Sequence, residues 1–169
     1  AIEPVQVEGG GYDFYLPSSS VLSGETRFFQ PTSEKTLTIP STAARVITVG
    51  AYDTYTEAYA DFSGRGENMS PASVNIKPDL AAPGVNIATL SPGNLPVTVS
   101  GTSFATPFVS GSAALLMEWG IVRGNDPFLY GEKVKAFLRR GARTLRSESV
   151  YPNNRVGWGA LCLAGSLPD

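Results

Sequence analysis

Ser103 stands behind Gly101 and Thr102 and ahead of Ala105 and Pro107, a spacing that sets a hydroxyl at the start of a helix. A serine in a helix's first turn has a backbone N–H with no intrahelical acceptor. That N–H points outward, where the oxygen of a carbonyl under attack can accept it. The chemistry this favours is nucleophilic attack by Ser103, with Gly101 and Thr102 as its immediate support. A serine hydroxyl is a weak nucleophile at neutral pH unless a neighbouring base takes its proton. The sequence contains no histidine, so the commonest such base is not among these residues. A plainer role competes: Thr102 or Ser103 as the cap of a hydrophobic helix, which such residues commonly are.

The elements that must hold Ser103 are legible in the surrounding pattern. From Ser103 to Trp119 small and apolar residues are nearly continuous over a length no ordinary strand reaches, which predicts a buried helix closed by Gly120. Pro107 fits a first turn, whose N–H groups lack acceptors. Gly101 permits close backbone approach, and Gly111, Ala113 and Ala114 permit tight packing of helix on sheet. The β-branched run Arg45–Ala51 predicts a strand buried on both faces. A second, amphipathic helix is predicted from about Tyr130 to Arg140, with Val134, Phe137 and Leu138 inward and Glu132, Lys133, Lys135, Arg139 and Arg140 elsewhere. Arg139, Arg140 and Arg143 read as a solvated basic face suited to a helix C-terminus, ahead of a binding role. Pro92-Gly93-Asn94 reads as an ordinary turn, ahead of a place on the leaving-group side of the serine.

Residues 1–40 have a different texture. Val5 and Val7, Tyr12, Phe14 and Leu16, and Leu37 and Ile39 alternate, and Gly9–Gly11 and Pro17–Ser20 interrupt them, which predicts short antiparallel strands. The character changes near Ser41, after which strands and helices joined by Gly and Pro predict an α/β layer structure. With 42% hydrophobic and 17% charged residues, the 169-residue chain can bury one sizeable core. A net charge of −2 without a basic stripe argues against a nucleic-acid partner. No window approaches the ~20 apolar residues of a membrane span, and no signal-peptide order opens the sequence. The single cysteine, Cys162, excludes an internal disulfide and a cysteine metal cluster. Between Leu161 and Leu163 it reads as a small buried hydrophobe.

Gly101, Thr102, Ser103, Ala105 and Pro107 match the serine signature of the subtilisin-like serine peptidases, or subtilases, which this chain resembles. Further landmarks occur in the right order. Val46–Ala51 resembles the family's buried strand, Phe62–Gly66 its following loop, Lys77–Gly84 its pre-serine segment, and Gly157-Trp158-Gly159 the turn before its last strand. The resemblance implies that residues 41–169 are the C-terminal part of a subtilisin-like parallel-sheet domain. It implies Ser103 as nucleophile, with its backbone N–H and the Thr102 hydroxyl as oxyanion donors. In subtilases the triad runs Asp, His, Ser along the chain, so the resemblance places Asp and His in an upstream segment of the same protein. That segment is then a partner of this one, and the substrate is a protein or peptide.

Many subtilases bind structural calcium in loops, yet no site is assignable here, and no cofactor is implied. Tyr12–Pro17 and Thr36–Ala43 resemble the end of the β-rich, jelly-roll insertion of the clostridial spore-germination subtilases, the Csp proteases. That implies residues 1–40 as the end of such an insertion. It also implies an extracytoplasmic or spore-associated setting, with the precursor of a cortex-degrading hydrolase as substrate. Two readings stay open beside a working endopeptidase: a pseudopeptidase that keeps the fold for binding, and a free-standing β-rich module, which accounts for residues 1–40 but not for the serine segment.

Overall fold

Thr48 donates its backbone N–H to the Asp79 carboxylate at 2.6 Å, and this side-chain capture decides where the central strand begins. The computed structural model describes residues 12–17, 21–67 and 75–168. In it the first strand, β1, runs Val49–Asp53, a few residues beyond the Arg45–Ala51 run. β2 (Ala58–Tyr59) pairs with β1 antiparallel and β3 (Leu80–Pro83) pairs with it parallel, giving the order β2-β1-β3. β4 (Ile87–Ser91) and β5 (Leu95–Val99) form a separate antiparallel hairpin. The helices are α1 (Thr102–Met117), α2 (Glu132–Arg140) and the short α3 (Leu163–Ser166).

Both faces of the three-stranded sheet are covered, as the β-branched run predicts. Ala51, Leu80 and Ala82 face α1 and α2 through Ala105, Val109, Leu116, Val134 and Leu138. The alternate residues Tyr52 and Ala81 face Leu145, Val156 and Ala160 on the other side, the period-two alternation of a strand. Alanines at the sheet–helix contact bring the helix close. Gly84, just past β3, shows how close: a Cβ there would lie 2.6 Å from the Ala51 Cβ and 3.3 Å from that of Ala105. Gly84→Ala is therefore expected to cost about 1–3 kcal/mol through overpacking. Urea denaturation measures it, and a loss under about 0.5 kcal/mol, the range of an ordinary surface change, contradicts the tight contact.

Several expectations are corrected. Among the described residues no strand precedes Val49; Val5 and Val7 lie outside them. Tyr12, Phe14 and Leu16 alternate in sequence but are all exposed, and alternation makes a strand only where a partner satisfies the backbone. The chain divides into units 1–32 and 33–169, so residues 33–40 belong with the later unit. There Lys35 and Thr36 donate backbone N–H groups to Gly66 and Arg65 at 3.1 and 2.8 Å.

The helix after Ser103 does not close at Gly120. It passes at Glu118–Val122 into a π-helical turn, in which Arg123 N–H reaches back to Glu118 at 3.0 Å. Pro107 lies in the second turn of α1, not the first, and leaves the Ser103 carbonyl without its helical donor. Nor is α1 buried all round. Ala105, Val109, Ser112 and Leu116 form its buried stripe, whereas the neighbouring stripe Phe104, Phe108 and Leu115 is exposed by 36, 42 and 55%.

Candidate active site

Gly101 occupies φ 153°, ψ 156°, a backbone region that is close to glycine-only. This conformation lets the chain leave β5 and turn at once into α1. The turn is pinned by Gly101 N–H donating to the Gly84 carbonyl at 2.8 Å, so β3 sets the height of the helix start. Asn86 N–H donates to the Ser100 hydroxyl at 2.9 Å and fixes the residue before it. The Gly101 carbonyl accepts from Phe104 and Ala105 at 3.1 and 3.3 Å. The Thr102 and Ser103 amides occupy the first two helical positions, which have no intrahelical acceptor.

Ser103 is exposed, and among the described residues nothing hydrogen-bonds its hydroxyl. Together with Thr102 and Thr106 it lines a cavity of about 590 Å³ whose far walls come from residues 33–41 and 61–65. An accessible hydroxyl, unpaired helix N-terminal amides and a cavity beside them can serve acyl transfer. The capping alternative is not what forms: no side-chain cap bonds the N-terminus of α1. Gly101, Thr102 and Ser103 are thus brought together. Pro92-Gly93-Asn94 is the tip of the β4–β5 hairpin, where Asn94 N–H closes on the Ser91 carbonyl at 3.1 Å. It is separated from Ser103 by the length of β5, about 17 Å of strand.

Asp79, which the sequence offers only as one residue of a resembling segment, is fully buried at the start of β3. Lys77 lies 2.7 Å from its carboxylate and Lys135 3.5 Å, and Arg139 bonds it directly. Both lysines are buried and also donate to the Val46 carbonyl, at 2.7 and 3.2 Å. Burial pushes the Lys77 ammonium below its ordinary range, with the Asp79 hydrogen bond opposing. The expected solvated basic face is therefore corrected at Arg139, while Arg143 stays exposed. Lys135 and Arg139 turn inward, the latter stacking 4.1 Å from the Trp158 ring. Arg143 donates to Glu57 at 3.0 Å and to the Tyr52 hydroxyl at 3.2 Å. Helical periodicity placed Lys135 off the apolar face; it could not foresee a carboxylate delivered from another element.

Cys162 is half-buried and free; its sulfur accepts the Gly165 N–H at 3.4 Å and caps α3. Among the described residues no group of three or more histidine, cysteine, aspartate or glutamate side chains could hold a metal. No helix among them is long and apolar enough to cross a membrane.

The subtilase family pattern matches residues 20–159. The chain belongs to that family. It is 34% identical over 154 residues to the serine protease AprX of Bacillus subtilis, a match spanning 79% of this chain and 32% of AprX. Among solved structures it is similar to the Clostridium perfringens CspB protease, with 48% identity and a TM-score of 0.76 over 83% of this chain and 29% of that one. The patellamide maturation protease PatA matches with 33% identity and a TM-score of 0.61, over 79% of this chain and 46% of PatA. The chain thus spans about a third of AprX and of CspB and under half of PatA.

Proposed function

We propose that this chain is the nucleophile-bearing part of a subtilisin-like serine endopeptidase. The single observation that carries the reading is Ser103, exposed at the start of α1 and opening on a cavity. Its hydroxyl oxygen attacks the scissile carbonyl carbon while its proton passes to a histidine base. The resulting oxyanion accepts the Ser103 N–H, with the Thr102 hydroxyl as the neighbouring donor. The base returns the proton to the leaving amine as the acyl-enzyme forms, and water then releases the acyl group. Histidine and its orienting aspartate come from an upstream segment of the same protein.

Two surfaces favour such a segment. The Phe104–Phe108–Leu115 stripe of α1 is apolar and bare, and β1 has no strand partner on its second edge at Val49 and Gly50, whereas Ala51 is held there by the Ala60 N–H and the Ser63 hydroxyl. Contiguous apolar surface and an open strand edge both call for a cover. The likeness to CspB supports a role in spore germination, with the precursor of a cortex-degrading hydrolase as the substrate. Residues 1–32, a unit of their own, are then the end of an insertion ahead of the serine segment.

Fluorophosphonate labelling, with the modified residue located by mass spectrometry, tests the assignment. The isolated chain is expected to stay unlabelled and to turn over no peptide ester. With the upstream segment restored, labelling is expected at Ser103 alone, together with slowed amide exchange along the Phe104–Leu115 stripe. Labelling of the isolated chain refutes the need for an upstream base. An unlabelled assembled protein favours a pseudopeptidase that keeps the fold for binding.

A further inference from the structure

We propose that Ser100 is a positioning residue for Ser103, its hydroxyl orienting the start of α1; this rests on the endopeptidase reading above. Gly101, which follows Ser100, occupies φ 153° and carries no side chain, so by itself it is a loose joint in the backbone. One main-chain tie holds that joint: Gly101 N–H donates to the Gly84 carbonyl at 2.8 Å. A segment held at one point still turns about it. The second point is the Ser100 hydroxyl, which accepts the Asn86 N–H at 2.9 Å. Gly84 and Asn86 thus hold two consecutive residues, Gly101 and Ser100, and the two ties fix direction as well as place.

The register of the β4–β5 hairpin explains why a side chain makes this bond. The ladder pairs Ser91 with Leu95 at one end and Ile87 with Val99 at the other, so the next pair in step is Asn86 opposite Ser100. Asn86 has φ 53°, a left-handed conformation that asparagine tolerates better than most residues, and it takes the chain out of strand geometry. Its N–H goes to the Ser100 side chain instead of a main-chain carbonyl. An alanine at position 100 offers that N–H no acceptor. Because α1 begins at Thr102, a turn of the Ser100–Gly101 segment swings the Ser103 hydroxyl together with the Thr102 and Ser103 amides. A misplacement near 1 Å can cost about 10²-fold in rate. Ser100 neither takes nor gives a proton in the reaction; it acts only through Ser103.

The test compares the complete polypeptide with its S100A and S100T variants, using a rhodamine-tagged fluorophosphonate. The labelling rate at saturation reads attack by Ser103, and the half-saturating concentration reads binding. Ser100 and Asn86 are both exposed, so S100A leaves the Asn86 N–H to water and is expected to melt with the wild type. S100A is expected to slow labelling at saturation about three- to tenfold, the range set by one ordinary hydrogen bond. The half-saturating concentration and the pH midpoint of the rate are expected to stay unchanged. S100T, which keeps the hydroxyl, is expected to recover most of the rate. Unchanged labelling in S100A, a loss that S100T does not recover, or a change confined to the melting temperature or the half-saturating concentration overturns the proposal and leaves the endopeptidase reading standing. A wild-type polypeptide that takes no label refutes that reading and the role of Ser100 with it.

Discussion

Replacing Ser103 with alanine in the assembled protein is expected to lower kcat by about 10⁶-fold, the loss seen when subtilisin is deprived of its serine, while leaving the fold intact. The two halves of that expectation have separate grounds. The catalytic loss follows because the hydroxyl oxygen is the atom that bonds to the acyl group. Residual activity then rests on the oxyanion donors and binding alone. The folding half follows because Ser103 is exposed and its hydroxyl bonds nothing among the described residues. Its removal therefore leaves no buried polar group unsatisfied, and the expected change in stability stays within about 0.5 kcal/mol. Single-turnover ester hydrolysis and a thermal melt, run on the same preparation, check both. A variant that keeps a tenth of the wild-type rate removes Ser103 from the chemistry. One that melts far below wild type shows a structural serine instead.

Replacing Asp79 with alanine is expected to destabilise the chain by about 3–5 kcal/mol, the cost of leaving buried charge without its partner. The carboxylate is fully buried and is the acceptor for Lys77, Arg139 and the Thr48 N–H, with Lys135 at 3.5 Å. Without it two buried ammonium groups and a guanidinium repel one another in a region of low polarity. Against a total stability of about 5–15 kcal/mol for a domain, this loss shifts the unfolding midpoint far enough to measure in urea. Asp79→Asn keeps an acceptor for Thr48 but not the charge, and is expected to recover only a minor share. A loss below about 1 kcal/mol for the alanine variant, inside the reach of an exposed ion pair, means the cluster is hydrated and not a structural tie.

Asp79 and the helix that carries Ser103 are tied to opposite ends of β3. Asp79 fixes the start of β3 and the lead-in to β1, while Gly84, at the far end, receives the Gly101 N–H that sets the beginning of α1. A shift of β3 thus moves Ser103 relative to the cavity. Chemistry of this kind is sensitive to displacement: near 1 Å of misplacement can cost about 10²-fold in rate. Asp79 variants that still fold are therefore expected to lose activity as well as stability, through the position of the nucleophile.

Three features were legible from short-range pattern. The Gly101-Thr102-Ser103 spacing sets a helix start, because a glycine-only backbone conformation followed by small residues admits little else. The β-branched run near Val46–Ala51 sets a strand covered on both faces, and the 130–140 periodicity sets α2. Each rests on interactions within a few residues. The other features depend on groups far apart in the chain and become visible only once those groups meet. Lys135 and Arg139 turn inward because Asp79 meets them from β3. The alternation at Leu37–Ile39 yields no strand, since no strand among the described residues pairs with it. The bare stripe of α1 was invisible in sequence, since an apolar residue reads the same whether its cover is present or absent.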